Sequence, residues 1–286
     1  MNTKMIALVA GLALGVSFIG TQAFSRSTAS SDAQSAAAAT VLESGTIRAG
    51  YIVYPPYIVK DPKTGQLSGV FYDLTNALGD QLGLKIQWVE GSGYGTIFTD
   101  LDSGRYDVFA GGLWANSTRA KAGLLTTPVF YSAIYAYARS SDHRFDNNLA
   151  TINTPDTRIS TMDGAIDNVI ANTDYPKAQD ITLPQSAVAE QAQLDVISGK
   201  ADVTFAQSDV ILLFLKTNPG TLRQIATQPL RIFGNSYAVK RGANDLLQML
   251  NVATQEAVNN GTVEKIIEKY QLSPNSYLQL APSYAK

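Results

Sequence analysis

The chain is 286 residues long, 45% apolar and 16% charged, so it carries enough apolar side chain for a sizeable core and has the length of one or two domains. Its 22 Lys+Arg against 24 Asp+Glu give a formal charge of -2, which offers no basic excess to neutralise a phosphate backbone and argues against nucleic acid as a partner. With no cysteine and a single histidine, His143, disulfides, zinc fingers, iron–sulfur clusters and thiol chemistry are ruled out, as is any Ser-His triad not built on His143.

The first residues read as a leader. Met1 to Lys4 carries one positive charge, residues 5–20 are apolar apart from Ser17, and Thr21-Gln22-Ala23 places small residues where a signal peptidase reads. The apolar run falls short of the ~20 residues that span a bilayer. Residues 1–23 are therefore expected to be a cleaved signal peptide, with an uncleaved anchor as the alternative, and the protein to be periplasmic. Residues 24–40 are Ser/Ala-rich without periodicity and are expected to be a disordered linker.

From Val41 onward short strands alternate with amphipathic helices. Residues 46–51 (TIRAGY) read as a strand. Asp73 suits the N-cap of a helix on which Leu74, Ala77, Leu78 and Leu82 recur, and Gly83 stops it. Residues 85–89 (KIQWV) alternate as a strand, residues 96–103 give a short helix ended by Gly104, and residues 106–110 (YDVFA) give a buried strand. This β-α-β-α-β order implies a parallel, doubly wound sheet. The pattern restarts with a strand at 158–161, helices at 165–171 and 187–198, a strand at 201–206, a helix at 209–216 stopped by Asn218-Pro219-Gly220, and a strand around 222–226. Two extended segments, 134–138 and 236–239, stand between the units. After the second, a helix over 245–260 and another through Val263, Ile266, Ile267 and Tyr270 lack a complete sheet of their own and must pack on the first unit. The expected fold is α/β with two lobes, each a mainly parallel sheet flanked by helices, joined by two hinge crossovers. Lobe 1 covers 41–137 and returns over 233–272, lobe 2 covers 138–232, and 273–286 is a polar tail.

Most chemical motifs are missing. Gly91-Ser92-Gly93-Tyr94-Gly95 fails the G-x-G-x-x-G spacing because residue 96 is Thr, and it reads as a flexible strand–helix turn. There is no P-loop, G-x-S-x-G or H-E-x-x-H, and His143 sits in a polar run as a solvated loop residue. No cofactor and no metal is expected. The informative stretch runs from Asp107 to Arg119. A buried strand ends in Gly111-Gly112, which frees backbone N–H groups at the carboxyl edge of an open α/β sheet, where such folds bind ligands. Arg119 at the following helix start is a fork for a carboxylate, or else it caps the sheet or pairs with a surface acid. Tyr51, Tyr54, Tyr57, Phe71, Tyr94 and Trp114 fall in the strand–helix turns of the first unit, where rings either stack on a ligand or seal the sheet edge.

In order and spacing, the chain from about Gly45 to Tyr270 resembles the bacterial extracellular solute-binding proteins of family 3, the amino-acid type that serves ABC importers. The resemblance is carried by Gly45-Thr46-Ile47-Arg48-Ala49-Gly50, Tyr54-Pro55-Pro56-Tyr57, Gly65 to Gly69 leading to Asp73-Leu74, and Ser103-Gly104-Arg105-Tyr106-Asp107 through Gly111, Gly112 and Arg119. Ser198-Gly199-Lys200-Ala201-Asp202 repeats that junction, and Asn260-Gly261-Thr262-Val263-Glu264-Lys265-Ile266 closes it. The resemblance implies a type II periplasmic-binding-protein-like fold. It implies that Arg119 grips a ligand α-carboxylate, helped by backbone N–H groups near Gly112 and Trp114 and by a helix start at Gly164-Ala165, where the family usually has threonine at the position of Ala165. It implies that Tyr54, Tyr57, Tyr94 and Gln207 contact the ligand side chain. The aspartates that commonly hold the α-ammonium fall at Ile52 (or Val53) and Gln207, so both are replaced, and Asp163 is the candidate substitute. The implied function is capture of a small amino-acid-like or other carboxylate solute by lobe closure, as a monomer that delivers to an ABC permease in the inner membrane, without enzyme activity. The alternatives are a cyclohexadienyl-dehydratase-like enzyme on the same fold and a ligand-sensing protein for a separate partner.

Overall fold

A computed structural model describes residues 36–279 apart from Ala189 and Asn275. The leader and most of the linker expected before Val41 lie outside the described residues, and no helix among the described residues is long and apolar enough to cross a membrane. The last residues of that linker are not irregular. Helix α1 (Ala36–Ser44) covers them, because its Ala-rich start has the highest helix propensity and Val41 reaches the core of the first lobe.

Lobe 1 opens with strand β1 (Thr46–Tyr51), followed by the short hairpin β2 (Val59–Lys60) and β3 (Leu67–Ser68). Helix α2 (Val70–Leu82), strand β4 (Lys85–Glu90), helix α3 (Ile97–Asp102) and strand β5 (Val108–Trp114) complete the first winding. The central β1 pairs in parallel with both β4 and β5, as the β-α-β-α-β order requires. Two expectations are corrected here. Asp73 is not the N-cap of α2. The helix begins a turn earlier, after Gly69, and the Asp73 carboxylate instead accepts from Tyr270 Oη (2.9 Å) and Lys269 Nζ (2.7 Å) of the last helix. Strand β5 does not stop at the glycines but runs through them to Trp114, because an antiparallel partner continues its ladder.

After helix α4 (Ser117–Ala122) and strand β6 (Leu124–Leu125), the chain crosses to lobe 2 along β7 (Phe130–Arg139). Lobe 2 contains β8 (Arg158–Met162), α5 (Ile166–Asp174), β9 (Gln179–Leu183), α6 (Gln191–Ile197), β10 (Val203–Gln207), α7 (Ser208–Thr217) and β11 (Leu222–Gln224). The return crossing is β12 (Arg231–Val239), the antiparallel partner of β5. Helices α8 (Asn244–Asn259) and α9 (Thr262–Tyr270) then pack on lobe 1 as expected, with Leu246, Leu250, Ala253, Ala257, Val263 and Ile267 in the same core as Leu74 and Leu78 of α2. Strand β9, an edge strand of sequence QDITL pairing in parallel with β8, is absent from the sequence reading because its polar residues hide the alternation.

The two crossover strands pair with each other from Phe130 to Ile134 and from Arg231 to Asn235, so the sheet runs unbroken from one lobe into the other in the order β4-β1-β5-β12-β7-β10-β8-β9. The tail is also pinned. Of the stretch expected to be a free polar tail, Leu278 pairs with Tyr131 of β7, and Tyr277 is buried against Tyr57 and Phe130. The Tyr277 hydroxyl donates to Asp209 Oδ2 at the start of α7.

The lobes share one internal device. Asp107 accepts from Arg48 N (2.9 Å) and from Arg48 Nε (3.1 Å), tying the start of β1 to the approach of β5. Asp202 accepts from Arg158 N (2.9 Å) and Arg158 Nε (3.0 Å) in the equivalent place in lobe 2, with Arg139 and Arg144 added. Burial alone would raise the Asp202 carboxyl, but the bonds from Arg158 and Arg144 outweigh it and hold it well below the usual carboxylate range. A depressed carboxyl contributes stability that is present above its unfolded value and is lost as pH falls. Asp202→Asn leaves three guanidiniums short of their shared acceptor and should cost on the order of 3 kcal/mol in denaturant unfolding, with the deficit shrinking below about pH 4. A mutant as stable as the parent at pH 7 refutes this account of the fork.

Candidate functional site

A cavity of about 60 Å³ lies between the lobes. Lobe 1 lines it with Tyr54, Tyr57, Tyr94, Gly112, Leu113, Trp114 and Arg119, and lobe 2 with Met162, Ala165, Ile166, Asp167, Ala192, Gln193, Phe205 and Gln207. Of the residues singled out from the sequence, Arg119, Gly112, Trp114, Ala165, Tyr54, Tyr57, Tyr94 and Gln207 are therefore brought together, whereas Tyr51 and Phe71 pack in the lobe 1 core.

The lobe 1 wall is set by β5 and the turn after β1. Gly112 has φ +77, and a Cβ there would stand 2.4 Å from the Phe71 ring, so the strand can bulge at this point only as glycine. The bulge precedes Trp114, whose ring stacks on Phe233 (5.3 Å between centroids) and whose Nε1 donates to Asn235 Oδ1 at 2.6 Å. Tyr57 sits in the turn whose Pro55–Pro56 bond is cis, and its hydroxyl donates to Ser132 Oγ. Tyr54 reaches across the cleft and donates to Gln207 Oε1 at 2.9 Å, with its ring edge-on to Tyr94.

Arg119 is held at the first turn of α4, where the N-cap Asn116 accepts from its backbone N–H (2.9 Å). Its guanidinium donates to two carbonyls, Trp114 O (3.0 Å) and Gly164 O of lobe 2 (3.4 Å). Arg48, Arg105, Arg139, Arg144, Arg158, Arg223 and Arg231 each meet a carboxylate. Among the described residues Arg119 meets none, although it is far from fully exposed. Burial lowers its pKa to about 10, with Tyr94 and then Asp167 pulling the other way. Arg119 thus pairs with no surface acid among the described residues, while its bond to Trp114 O does cap the end of β5.

Two lobe 2 residues differ from expectation. Asp163 is not in the cavity. It is exposed at the rim, where it accepts from Gln185 Nε2 (2.9 Å), and Gln185 in turn accepts from Gly95 N of lobe 1 (3.1 Å). The acid in the cavity is Asp167, one turn on, which accepts from Met162 N (3.1 Å) and Asn168 N (2.9 Å). The Ala165 N–H, expected to face an anion, donates to Met162 O (3.0 Å). Near the rim Gly164, at φ +72, meets Gly95 so closely that a Cβ would lie 2.8 Å from Gly95 N.

Desolvation pushes the Asp167 carboxyl up to about 7 against the backbone donors that favour its charged form. A raised carboxyl binds a proton in the folded state that the unfolded state has released, so its contribution to stability falls as pH rises from about 4 to about 7. In the ligand-free protein the Asp167 carboxyl carbon should titrate by NMR with a midpoint near 7. A midpoint near 4 would show that water reaches it freely.

The model for bacterial extracellular solute-binding proteins, family 3, matches residues 47–273. The chain belongs to this family. Several solved structures share the fold. An ancestral amino-acid-binding protein, described as a precursor of cyclohexadienyl dehydratase, superposes with a TM-score of 0.72 at 24% identity, covering 81% of this chain and 97% of that one. The solute receptor for L-cysteine of Neisseria gonorrhoeae gives 0.73 at 19% identity, over 84% and 98%. An amino-acid ABC transporter substrate-binding protein of Streptococcus pneumoniae, bound to L-arginine, gives 0.70 at 18% identity, over 81% and 96%. The family-3 protein described here therefore has the two-lobed, type II architecture.

Proposed function

We propose that this family-3 protein is the solute-binding component of an ABC-type uptake system, exported to the periplasm by its leader and acting there as a monomer. It captures a small carboxylate-bearing solute, an amino acid or a derivative, between its lobes and delivers it to a permease in the inner membrane. One observation carries the reading: a guanidinium in the interlobe cavity, bonded only to carbonyls, with donors left for an anion. Gly112, Trp114 and Ala165 flank the carboxylate, and Tyr54, Tyr57, Tyr94 and Gln207 form the wall for the rest of the ligand. The contacts that already cross the cleft, Tyr54 to Gln207 and Arg119 to Gly164, support capture by closure of one lobe on the other over β7 and β12.

Asp167 also favours a second reading, a cyclohexadienyl-dehydratase-like enzyme, since such chemistry needs a cleft group able to hold a proton near neutral pH. Product formation from a cyclohexadienyl acid by the purified protein would select it, and saturable binding without turnover selects the binding protein.

Arg119→Ala should abolish the thermal stabilisation given by amino acids or organic acids and weaken binding on the order of 10²-fold or more, with the far-UV circular dichroism unchanged. Retained affinity after that substitution removes the carboxylate from the proposal.

A further inference from the structure

Two of the rings that line the interlobe cavity, Trp114 and Tyr57, are held from behind by one buried chain of uncharged hydrogen-bonding groups. Trp114 Nε1 donates to Asn235 Oδ1 at 2.6 Å, Asn235 Nδ2 donates to Ser132 Oγ at 2.8 Å, and the Tyr57 hydroxyl donates to the same Ser132 Oγ at 3.1 Å. Asn235 and Ser132 are fully buried, and neither is among the described lining of the cavity. The amide can take only one orientation. An indole N–H only donates, so it must face the amide oxygen, and Nδ2 must then face Ser132 and the Phe130 carbonyl (3.4 Å). Turned over, the amide would set N–H against N–H where water does not reach. Strand β12 holds Trp114 on a second count, since the indole lies nearly parallel (6°) to the Phe233 ring at 5.3 Å.

The two residues in the middle of this chain belong to the crossovers. Asn235 stands opposite Trp114 in the β5–β12 ladder and opposite Phe130 in the β7–β12 ladder, and Ser132 stands opposite Phe233. The rings they hold come from lobe 1. An aliphatic side chain at 235 would fill the same space without the cost of burying an amide, so what the amide adds is direction: packing alone lets a ring slide, whereas a bond to its polar edge fixes its plane. We infer that Asn235 is a positioning residue for the cavity. From the return crossover it sets the plane of the Trp114 indole and, through Ser132, the place of the Tyr57 phenol, and so decides which solute shapes the cavity accepts while touching no solute itself. The inference rests on the binding reading above and goes further in placing a determinant of specificity outside the cavity, in the paired crossover strands.

The chain has two tryptophans, Trp88 and Trp114, so indole-labelled protein gives two N–H resonances that Trp114→Phe assigns. Without ligand the Trp114 N–H should exchange slowly, and Asn235→Leu should move it upfield and speed its exchange. Isothermal titration of the purified mature protein with the twenty L-amino acids and their 2-hydroxy-acid analogues then reads the cavity. Asn235→Leu should weaken the best binder ~10-fold or more and change the order of the others. Ser132→Ala, which cuts only the Tyr57 arm, should change the order with the Trp114 resonance in place. In the Trp114→Phe/Ser132→Ala background both arms are already cut, so Asn235→Leu should add less than ~2-fold, whereas a residue that merely holds β12 together adds its full loss. Parental affinities and order in Asn235→Leu, or a loss undiminished in that background, overturns the inference. Should Asn235→Leu fail to fold, the cycle of Ser132→Ala with Tyr57→Phe decides, and additive losses or none at all overturn it. In those cases loss of binding in Arg119→Ala keeps the binding reading alive, whereas a parent protein silent to every amino and hydroxy acid overturns both.

Discussion

A guanidinium in a desolvated cleft with only carbonyl oxygens for company is an unfinished interaction. The protein has many ways to complete it, since seven of its other arginines meet a carboxylate. It withholds that partner from Arg119, and much of the local architecture follows from the choice. The bulge at Gly112 sets where β5 delivers Trp114, the Asn116 cap fixes the helix that carries Arg119, and the Trp114 carbonyl accepts from the guanidinium. Burial strengthens whatever anion then arrives, because electrostatic attraction grows as water is excluded.

The frame around this charge is built twice. The forks of Arg48 on Asp107 and Arg158 on Asp202 staple the first strand of each lobe to the strand that follows its second helix, with nearly the same distances. What joins the halves is less symmetric. Two long strands pair across the middle, and Tyr277 adds a third tie, from the aromatic cluster of lobe 1 to Asp209 of lobe 2. Desolvation raises Asp209 to about 6, as expected of a carboxyl held in that seam with one oxygen unpartnered.

Much of this was legible in the residues. Period-two runs located β1 and β4, glycine stops located the ends of α2 and α3, and the missing sheet behind α8 and α9 required their return to lobe 1. The failures have physical causes. Strand β9 lies at an edge, so two of its five residues are exposed and only one is buried, which blurs its pattern. Tyr277 looked like part of a polar tail because the cluster that buries it comes from segments far away in sequence. The choice between Asp163 and Asp167 depended on which way the chain leaves Gly164: its positive φ turns residue 163 to the rim and leaves residue 167, on the first turn of α5, facing inward. No spacing rule distinguishes those two acids before the turn is known.

That turn has one more consequence. Gly164 and Gly95 bring two backbones from opposite halves together with no room for a methyl between them. Any side chain at position 164 would act as a doorstop, jamming the jaws ajar while leaving every cavity-lining side chain intact. The bareness of this spot is thus as much a condition of seizing a guest as the charges inside, and it acts through the travel of the halves, not through any touch on the guest itself.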